Sequence, residues 1–399
     1  MITARRTRTD EVVLLLVGLA VVAYFCSTAV LGLDYSSDAQ PAIEALAHGR
    51  FGDVLHSPPS MGPVSIVLRT PVVAAADALS AGNLATYRLG ALACLIPVVI
   101  VALMVTRARE ARRQPFYAAL GFVILFCASG PVFRALELGH PEEPLAGALA
   151  VAAVLAAGAE RPWLSLLLLL LAAATKPTAI LAVAAAFIAL PAERRGELVR
   201  RIVPGIALAA LLLAAGALAI RSKTLELLDT GRAARYPSVW WQFASPDPRV
   251  VFDGAVWKVL EPRLLPAWFG RVTHVLIPLM LVPAAVLQAR FGRQTLSAAM
   301  GLLALLMLLR CVLDPVDNMY YHVPFIMALA TWEFLDRRGL PVVTLLGSVG
   351  LWLALYGFPK LGMPQRAESI IYLAVAGILA IILVAALSPE RDERLREAG

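Results

Sequence analysis

Two carboxylates, Asp34 and Asp38, stand four residues apart in Leu33-Asp-Tyr-Ser-Ser-Asp, directly after a long apolar run. On a helix that spacing puts both on one face. An acid at the boundary of an apolar segment is costly unless it has a partner or a task, and a carboxylate there can serve as a general base. The competing use is capping: Ser37 or Asp38 suits the N-terminus of a helix opening near Pro41. Asp34 lies too early for that. A second cluster is Arg134, Glu137, His140, Glu142 and Glu143, the last three within Gly-His-Pro-Glu-Glu-Pro. A histidine beside two acids suits acid–base work or a weak metal site, and equally a neutralising partner for Arg134. A third is Arg310, Asp314, Asp317, Tyr320, Tyr321 and His322, where Arg310 and Asp314 have helical pairing distance.

Single charges add to these. Lys176 sits between two short apolar stretches, followed by Pro177, which breaks a helix. Arg69 lies in an apolar run after a proline-rich turn at 56–63. Trp240 and Trp241 adjoin Arg232, Arg235 and Tyr236, with Trp257 and Trp268 further on. Paired indoles suit the apolar face of a sugar ring, and aromatic residues also form the belt of a membrane interface.

What must position these residues is a membrane bundle. Of 399 residues, 60% are hydrophobic and only 16% charged, against about 45–50% and 25% in a soluble domain. The apolar blocks approach the ~20 residues needed to cross a bilayer. Alternating ~10-residue strands of an outer-membrane barrel are not seen. The spans read as 11–33, 83–106, 115–135, 144–158, 163–175, 177–191, 202–220, 270–288, 295–313, 323–335, 340–357 and 369–388. The first is too long for a cleaved leader and reads as an uncleaved span. Arg5, Arg6 and Arg8 precede it, which predicts a cytoplasmic N-terminus.

The intervening loops then alternate in charge. Segments 1–10, 107–114, 159–162, 192–201, 289–294, 336–339 and 389–399 hold 19 of the 35 Lys and Arg in 53 positions. The net charge of +7 is thus explained by topology and not by nucleic-acid binding. Both termini are predicted cytoplasmic, 389–399 as a tail. Loops 34–82 and 221–269 are predicted outside, with a short amphipathic helix over 41–55 lying in the interface. The pair 163–175 and 177–191 reads as two short crossings or a re-entrant hairpin, with Lys176 facing a cavity. Cys26, Cys94, Cys127 and Cys311 lie in or at the ends of apolar blocks without CxxC spacing, and read as small hydrophobes. No phosphate-binding glycine motif occurs.

The stretches DYSSDAQPAIEALAHGRF at 34–51, GHPEEP at 139–144, ATKPT at 174–178 and LDPVDNMYYHVPF at 313–325, with the order of span, outside Asp, interfacial helix and alternating spans, resemble the GT-C superfamily of membrane glycosyltransferases. More narrowly the chain is similar to bacterial glycosyltransferase family 87, along essentially its whole length. The resemblance implies an all-α polytopic membrane protein, one integral domain over 1–399. Its architecture would be a GT-C-like bundle of about 12 transmembrane segments with outside juxtamembrane helices, in a bacterial plasma membrane. It implies transfer of a sugar, mannose first, from a polyprenyl-phosphate donor to a glycolipid or glycan acceptor, with inversion. The catalytic base would be Asp34, or Asp38 second, judged by spacing to the Ala-x-x-Ala-Leu-x-x-Gly helix. Lys176, Arg69, Arg310 and His322 would face the departing phosphate. His140, Glu142, Glu143, Trp240, Trp241, Asp314, Asp317, Tyr320 and Tyr321 complete the expected binding set. No cofactor is implied. The chain lacks Asp-Glu or Asp-x-Asp after span 1, which argues against a metal-dependent reaction and leaves a divalent cation open. The rival reading is a secondary transporter or flippase, for which charges should sit near the middle of several spans.

Overall fold

The computed structural model describes residues 6–56, 61–200, 233–234, 237–246, 263–266, 269 and 276–388. The expected span 202–220, most of loop 221–269 (with Arg232, Arg235, Tyr236, Trp257 and Trp268), Arg5 and the tail 389–399 lie outside the described residues. The described fold is helical throughout, apart from three two-residue strands, Ala233–Ala234, Ser245–Pro246 and Arg263–Leu264, the third pairing antiparallel with each of the others.

Among the described residues six helices are long and apolar enough to cross a membrane: Arg8–Thr28, Asn83–Arg107, Phe116–Leu138, Leu296–Leu313, Val342–Lys360 and Gln365–Leu387. The chain is thus a membrane-embedded all-α protein. Shorter apolar helices lie at the expected positions near 144–158, 163–175, 177–191, 270–288 and 323–335, as far as these are described. We label the helices used below α1 (Arg8–Thr28), α2 (Leu33–Asp38), α3 (Gln40–Ala47), α4 (Phe51–His56), α5 (Pro63–Ala78), α6 (Asn83–Arg107), α7 (Phe116–Ala128), α8 (Gly130–Leu138), α9 (Glu142–Gly158), α10 (Pro162–Thr175) and α11 (Ala182–Ala189). Beyond these come α12 (Leu281–Phe291), α13 (Leu296–Leu313), α14 (Val323–Asp336), α15 (Val342–Trp352) and α16 (Gln365–Leu387).

The bundle is built around α9. Nearly every residue of this Ala- and Gly-rich helix is buried, and it packs on α6, α10, α11, α13 and α14. Small side chains let neighbours approach closely, the usual basis of packing where lipid removes the hydrophobic drive. A Cβ on Gly147 would stand 2.8 Å from Met327 Sδ and 2.9 Å from Pro324 Cα. In this way α9 brings the start of α14 against its own first turn, where Glu142 and Glu143 sit.

The basic loops gather at one end of the bundle. Arg6 donates to the carbonyls of Thr106 and Ala111, and Arg107 pairs with Glu11 at 2.7 Å. Gln114 donates to Phe334 and Arg337 carbonyls, Arg293 pairs with Asp336, and Arg195 donates to Gln294. Arg194 reaches Glu160, 3.5 Å away. This last contact brings the two ends of the short pair together: the chain leaves Glu160, turns at Lys176 and returns, as both two short crossings and a re-entrant hairpin require.

Loop 34–82 forms four helices, α2 to α5, at the other end. The chain breaks after Thr28 with Ala29 extended, and Gly32 starts α2. Span 1 is therefore shorter than 11–33, and Asp34 belongs to a separate helix. The cap expected from Ser37 or Asp38 is not made: Ala39 precedes α3 and no side chain caps it. Two glycines seat α2 on the end of α8. A Cβ on Gly32 would lie 2.6 Å from the Leu138 carbonyl, and one on Gly139 would lie 2.8 Å from the Tyr35 backbone nitrogen. Gly139 also has φ +97°, the left-handed cap that turns the chain from α8 to His140.

Gly139→Ala should therefore destabilise the protein by roughly 2–4 kcal/mol, from left-handed strain and overpacking together. The expected readout is a lower thermal midpoint of the purified protein by size-exclusion chromatography. An unchanged midpoint would show that α2 is not seated by this contact.

Candidate functional site

The residues singled out above meet at the end of the bundle opposite the basic loops. Glu142 and Glu143 occupy the first turn of α9 and are buried. The positive end of the helix dipole favours carboxylates there, by about 0.3–2 kcal/mol. That is too little for two buried charges, each of which costs several kcal/mol unless paired. The pairing comes from two neighbours. His140 Nδ1 lies 2.7 Å from Glu142 Oε1, and Lys176 Nζ lies 2.7 Å from Glu143 Oε1 and 3.9 Å from Glu142 Oε1. Lys176 reaches them because the chain is extended at that residue, between the end of α10 and the turn over Pro177–Leu181.

Asp34 completes the row. Its Oδ2 is 3.0 Å from His140 Nε2. The imidazole thus bridges two carboxylates, and with both ring nitrogens donating it carries a proton on each. Burial works against that charge, but Glu142 and the hydrogen bonds to Asp34 and Glu142 outweigh it and raise His140 to about 9. The Tyr320 ring stacks on the imidazole, with centroids 4.2 Å apart and planes 15° apart. Exposure decides which acid can meet a substrate: the Asp34 side chain is 45% exposed, His140 8% and Glu142 0%.

The turn Met319–His322 links this row to the third cluster. Tyr321 lies under both cations, 5.4 Å from Lys176 Nζ and 4.0 Å from Arg310 Cζ. Arg310 also pairs with Asp314 at 3.4 Å, as its spacing predicts. Arg69 is buried on α5 and stacks on Tyr35, the neighbour of Asp34, at 4.9 Å. One of its guanidinium nitrogens, Nη2, has no hydrogen-bond partner among the described residues. The structure therefore unites Asp34, His140, Glu142, Glu143, Lys176, Tyr320, Tyr321, Arg310 and Asp314, with Arg69 adjoining.

Other expected residues take different roles. Asp38, at the end of α2, accepts a 2.8 Å hydrogen bond from Ser37. Arg134 pairs with Glu137 at 2.6 Å, so it is not the partner of the His140 cluster. Trp240 donates to the Leu313 carbonyl at 2.8 Å, and Trp241 lies under the Arg263 guanidinium at 3.8 Å. Trp240 ties the described part of the second loop to the end of α13, whereas Trp241 and Arg263 hold two stretches of that loop to each other.

Asp317 and His322 point inward, toward Tyr372 on α16. His322 Nε2 is 3.0 Å from the Tyr372 hydroxyl and 3.6 Å from Asp317 Oδ2. Burial lowers His322 to about 3 and pushes the Asp317 carboxyl well above the usual range. His322 thus faces Asp317 and Tyr372 and is turned away from the charge row, where it was expected to face phosphate. With Cys311 these two place one possible metal ligand each within 4.8 Å of one another. All four cysteines are free and buried.

Residue-type reasoning missed Tyr35, Tyr87 and Tyr372. Tyr87 donates to the Leu136 carbonyl and packs on Tyr35, steadying the α8–α2 junction. The available signal was a tyrosine inside an apolar block, since a buried hydroxyl requires a partner. No family model, curated protein or solved structure compared with this chain matches it.

Two outcomes follow. Because the folded His140 lies above the ordinary histidine value, the stability it contributes is fully present below about pH 6.5 and is lost as pH rises through about 9. Wild type should lose on the order of 2–3 kcal/mol relative to His140→Gln across that window, seen as converging thermal midpoints. Lys176→Met should cost about 3–5 kcal/mol by leaving buried carboxylates unpaired. Adding Glu143→Leu should recover much of the loss; a double-mutant cycle with no coupling would show that the pair does not hold the hairpin.

Proposed function

We propose that the protein is a glycosyltransferase that moves a sugar, mannose first among candidates, from a polyprenyl-phosphate donor to a glycolipid or glycan acceptor. The reaction takes place on the extracytoplasmic face of a bacterial plasma membrane, with both chain termini in the cytoplasm. The observation that carries the reading is Asp34. It is the exposed end of an otherwise buried charge row, and a protonated histidine orients it.

In this reading Asp34 takes the proton of an acceptor hydroxyl. The hydroxyl oxygen bonds to the anomeric carbon from the face opposite the phosphate, and the carbon–oxygen bond to phosphate breaks with its electron pair going to the lipid phosphate. The configuration inverts. His140 keeps the carboxylate ionised and aimed, and Glu142 keeps His140 charged, as an orienting third group does for a catalytic base. Charge accumulating on the departing phosphate needs preorganised cations. Lys176 and Arg69 suit this role: Lys176 is partly exposed, and Arg69 Nη2 is a donor without a partner among the described residues. Arg310 is committed to Asp314 and Tyr321 and supports them from behind. The concentration of charge at one end of the bundle favours chemistry at a surface over passage through the membrane.

The test is transfer from radiolabelled polyprenyl-phosphate-mannose by membranes containing normally inserted variants. Asp34→Asn should lose about 10²–10⁴-fold in rate. His140→Gln should fall between that and wild type, and Asp38→Asn should stay near wild type. Loss confined to Asp38→Asn would move the base by one helical turn. Wild-type inactivity with mannose, arabinose and glucose donors alike would turn the reading toward a transporter or flippase.

A further inference from the structure

The buried group behind the proposed active site has features that the sugar-transfer reading does not use. Asp317 is 3% exposed, and among the described residues neither of its carboxylate oxygens has a hydrogen-bond partner of good geometry. A carboxylate in that setting must be neutralised, by a proton or by a cation. Arg310 is the nearby guanidinium, but it is engaged by Asp314 and Tyr321. Asp317 is faced by the Tyr372 hydroxyl and the Asn318 N–H, and by a thiol and an imidazole: the ligand atoms of Cys311, Asp317 and His322 all lie within 4.8 Å of one another.

We propose that Cys311, Asp317 and His322 form a structural zinc site. Sulfur, nitrogen and a single carboxylate oxygen are the donors zinc prefers, whereas magnesium and calcium want oxygen alone. On tetrahedral zinc, bond lengths of about 2.0–2.3 Å hold two ligands roughly 3.4–3.7 Å apart. His322 Nε2 and Asp317 Oδ2 already stand at 3.6 Å. The other histidine nitrogen, Nδ1, lies 3.3 Å from the Asn318 carbonyl. That contact suits an N–H at Nδ1 and leaves the Nε2 lone pair for a metal, the arrangement usual for a zinc-bound histidine. The Tyr372 hydroxyl, 3.0 Å from Nε2, stands where a fourth ligand or its hydrogen-bond partner belongs.

Charge balances as well. One thiolate and one carboxylate offset the two positive charges of zinc, so the loaded site is neutral and compatible with burial beside an apolar helix. Binding releases the Cys311 thiol proton and any proton held by Asp317. The three ligands come from the end of α13 and the turn leading into α14, and Tyr372 comes from α16. A metal there would clamp three helices at the point where Tyr320 and Tyr321 are aimed at the charge row.

The experiment uses the full-length protein purified in detergent without chelator. Zinc content is measured by mass spectrometry, and metal-stripped protein is then titrated with cobalt(II). Wild type should carry close to one zinc per chain, and its cobalt form should show a thiolate-to-cobalt charge-transfer band in the near ultraviolet. Cys311→Ser should abolish the band. His322→Gln should weaken cobalt binding by more than the ~10–100-fold that loss of a supporting hydrogen bond costs. Cys127→Ser, a buried cysteine elsewhere, should retain zinc and spectrum. Stripped wild type that takes up neither zinc nor cobalt would overturn the proposal, as would cobalt binding without the band or with the band intact in Cys311→Ser. The wild-type titration does not depend on whether any variant folds.

Discussion

Two glutamates in succession, both fully enclosed at the start of a helix buried along nearly its whole length, are the constraint that organises one end of this protein. Uncompensated, Glu142 and Glu143 would each cost several kcal/mol, a large part of what any fold has to spend. Their compensation dictates local structure on both sides. Upstream, Gly139 must adopt a left-handed conformation so that His140 doubles back over Glu142. Downstream, α10 must end at Thr175 so that Lys176 can extend toward both carboxylates. The proline after Lys176 keeps the helix from reforming.

The same constraint explains why the bundle centre is made of alanine and glycine. Glu143 can be met by Lys176, and His140 by Tyr320, only if α10 and the start of α14 lie close to α9. Large side chains along α9 would hold them away. Gly147 against Pro324 marks the closest approach, and bulk is recovered from the neighbours, for example Phe325 and Trp332 of α14. Charge pairing and small-residue packing thus serve one requirement. Buried acids elsewhere are resolved differently: Glu333, near the basic end, accepts from the backbone of Val343 and Thr344 and from the Thr344 hydroxyl, capping α15.

Much of this was legible in the sequence, and the limits are physical. Helix positions followed from hydropathy, because each apolar block must cross or line a bilayer. Asp34, His140, Glu142, Lys176 and Arg310 were legible as polar residues at block ends, where only a partner justifies them. Their partners were not legible. Glu142 and Glu143 are adjacent and of one type, yet one takes an imidazole and the other an ammonium, because successive residues on a helix diverge by about 100°. Trp240 and Trp241 are adjacent indoles whose type suggests a sugar platform, yet one docks on a carbonyl and the other beneath an arginine. Residue type announces chemistry; direction comes from backbone that composition does not encode.

The turn over Met319–His322 is the sharpest case, and it ties the molecule together. A 3₁₀ turn has three residues per turn, so Tyr320, Tyr321 and His322 point in three directions roughly 120° apart. Tyr320 faces His140, Tyr321 faces Lys176 and Arg310, and His322 faces Asp317 and Tyr372. Read linearly they form one aromatic cluster; in space they are three contacts to three groups. The inward contact of His322 and the stacking of Tyr320 on His140 therefore belong to one short backbone element. His140 in turn orients the one well-exposed carboxylate of the row. An unbroken run of contacts thus leads from Tyr372 of α16 through the turn and His140 to Asp34 on α2, so Asp34 is held from beneath as well as by its own helix.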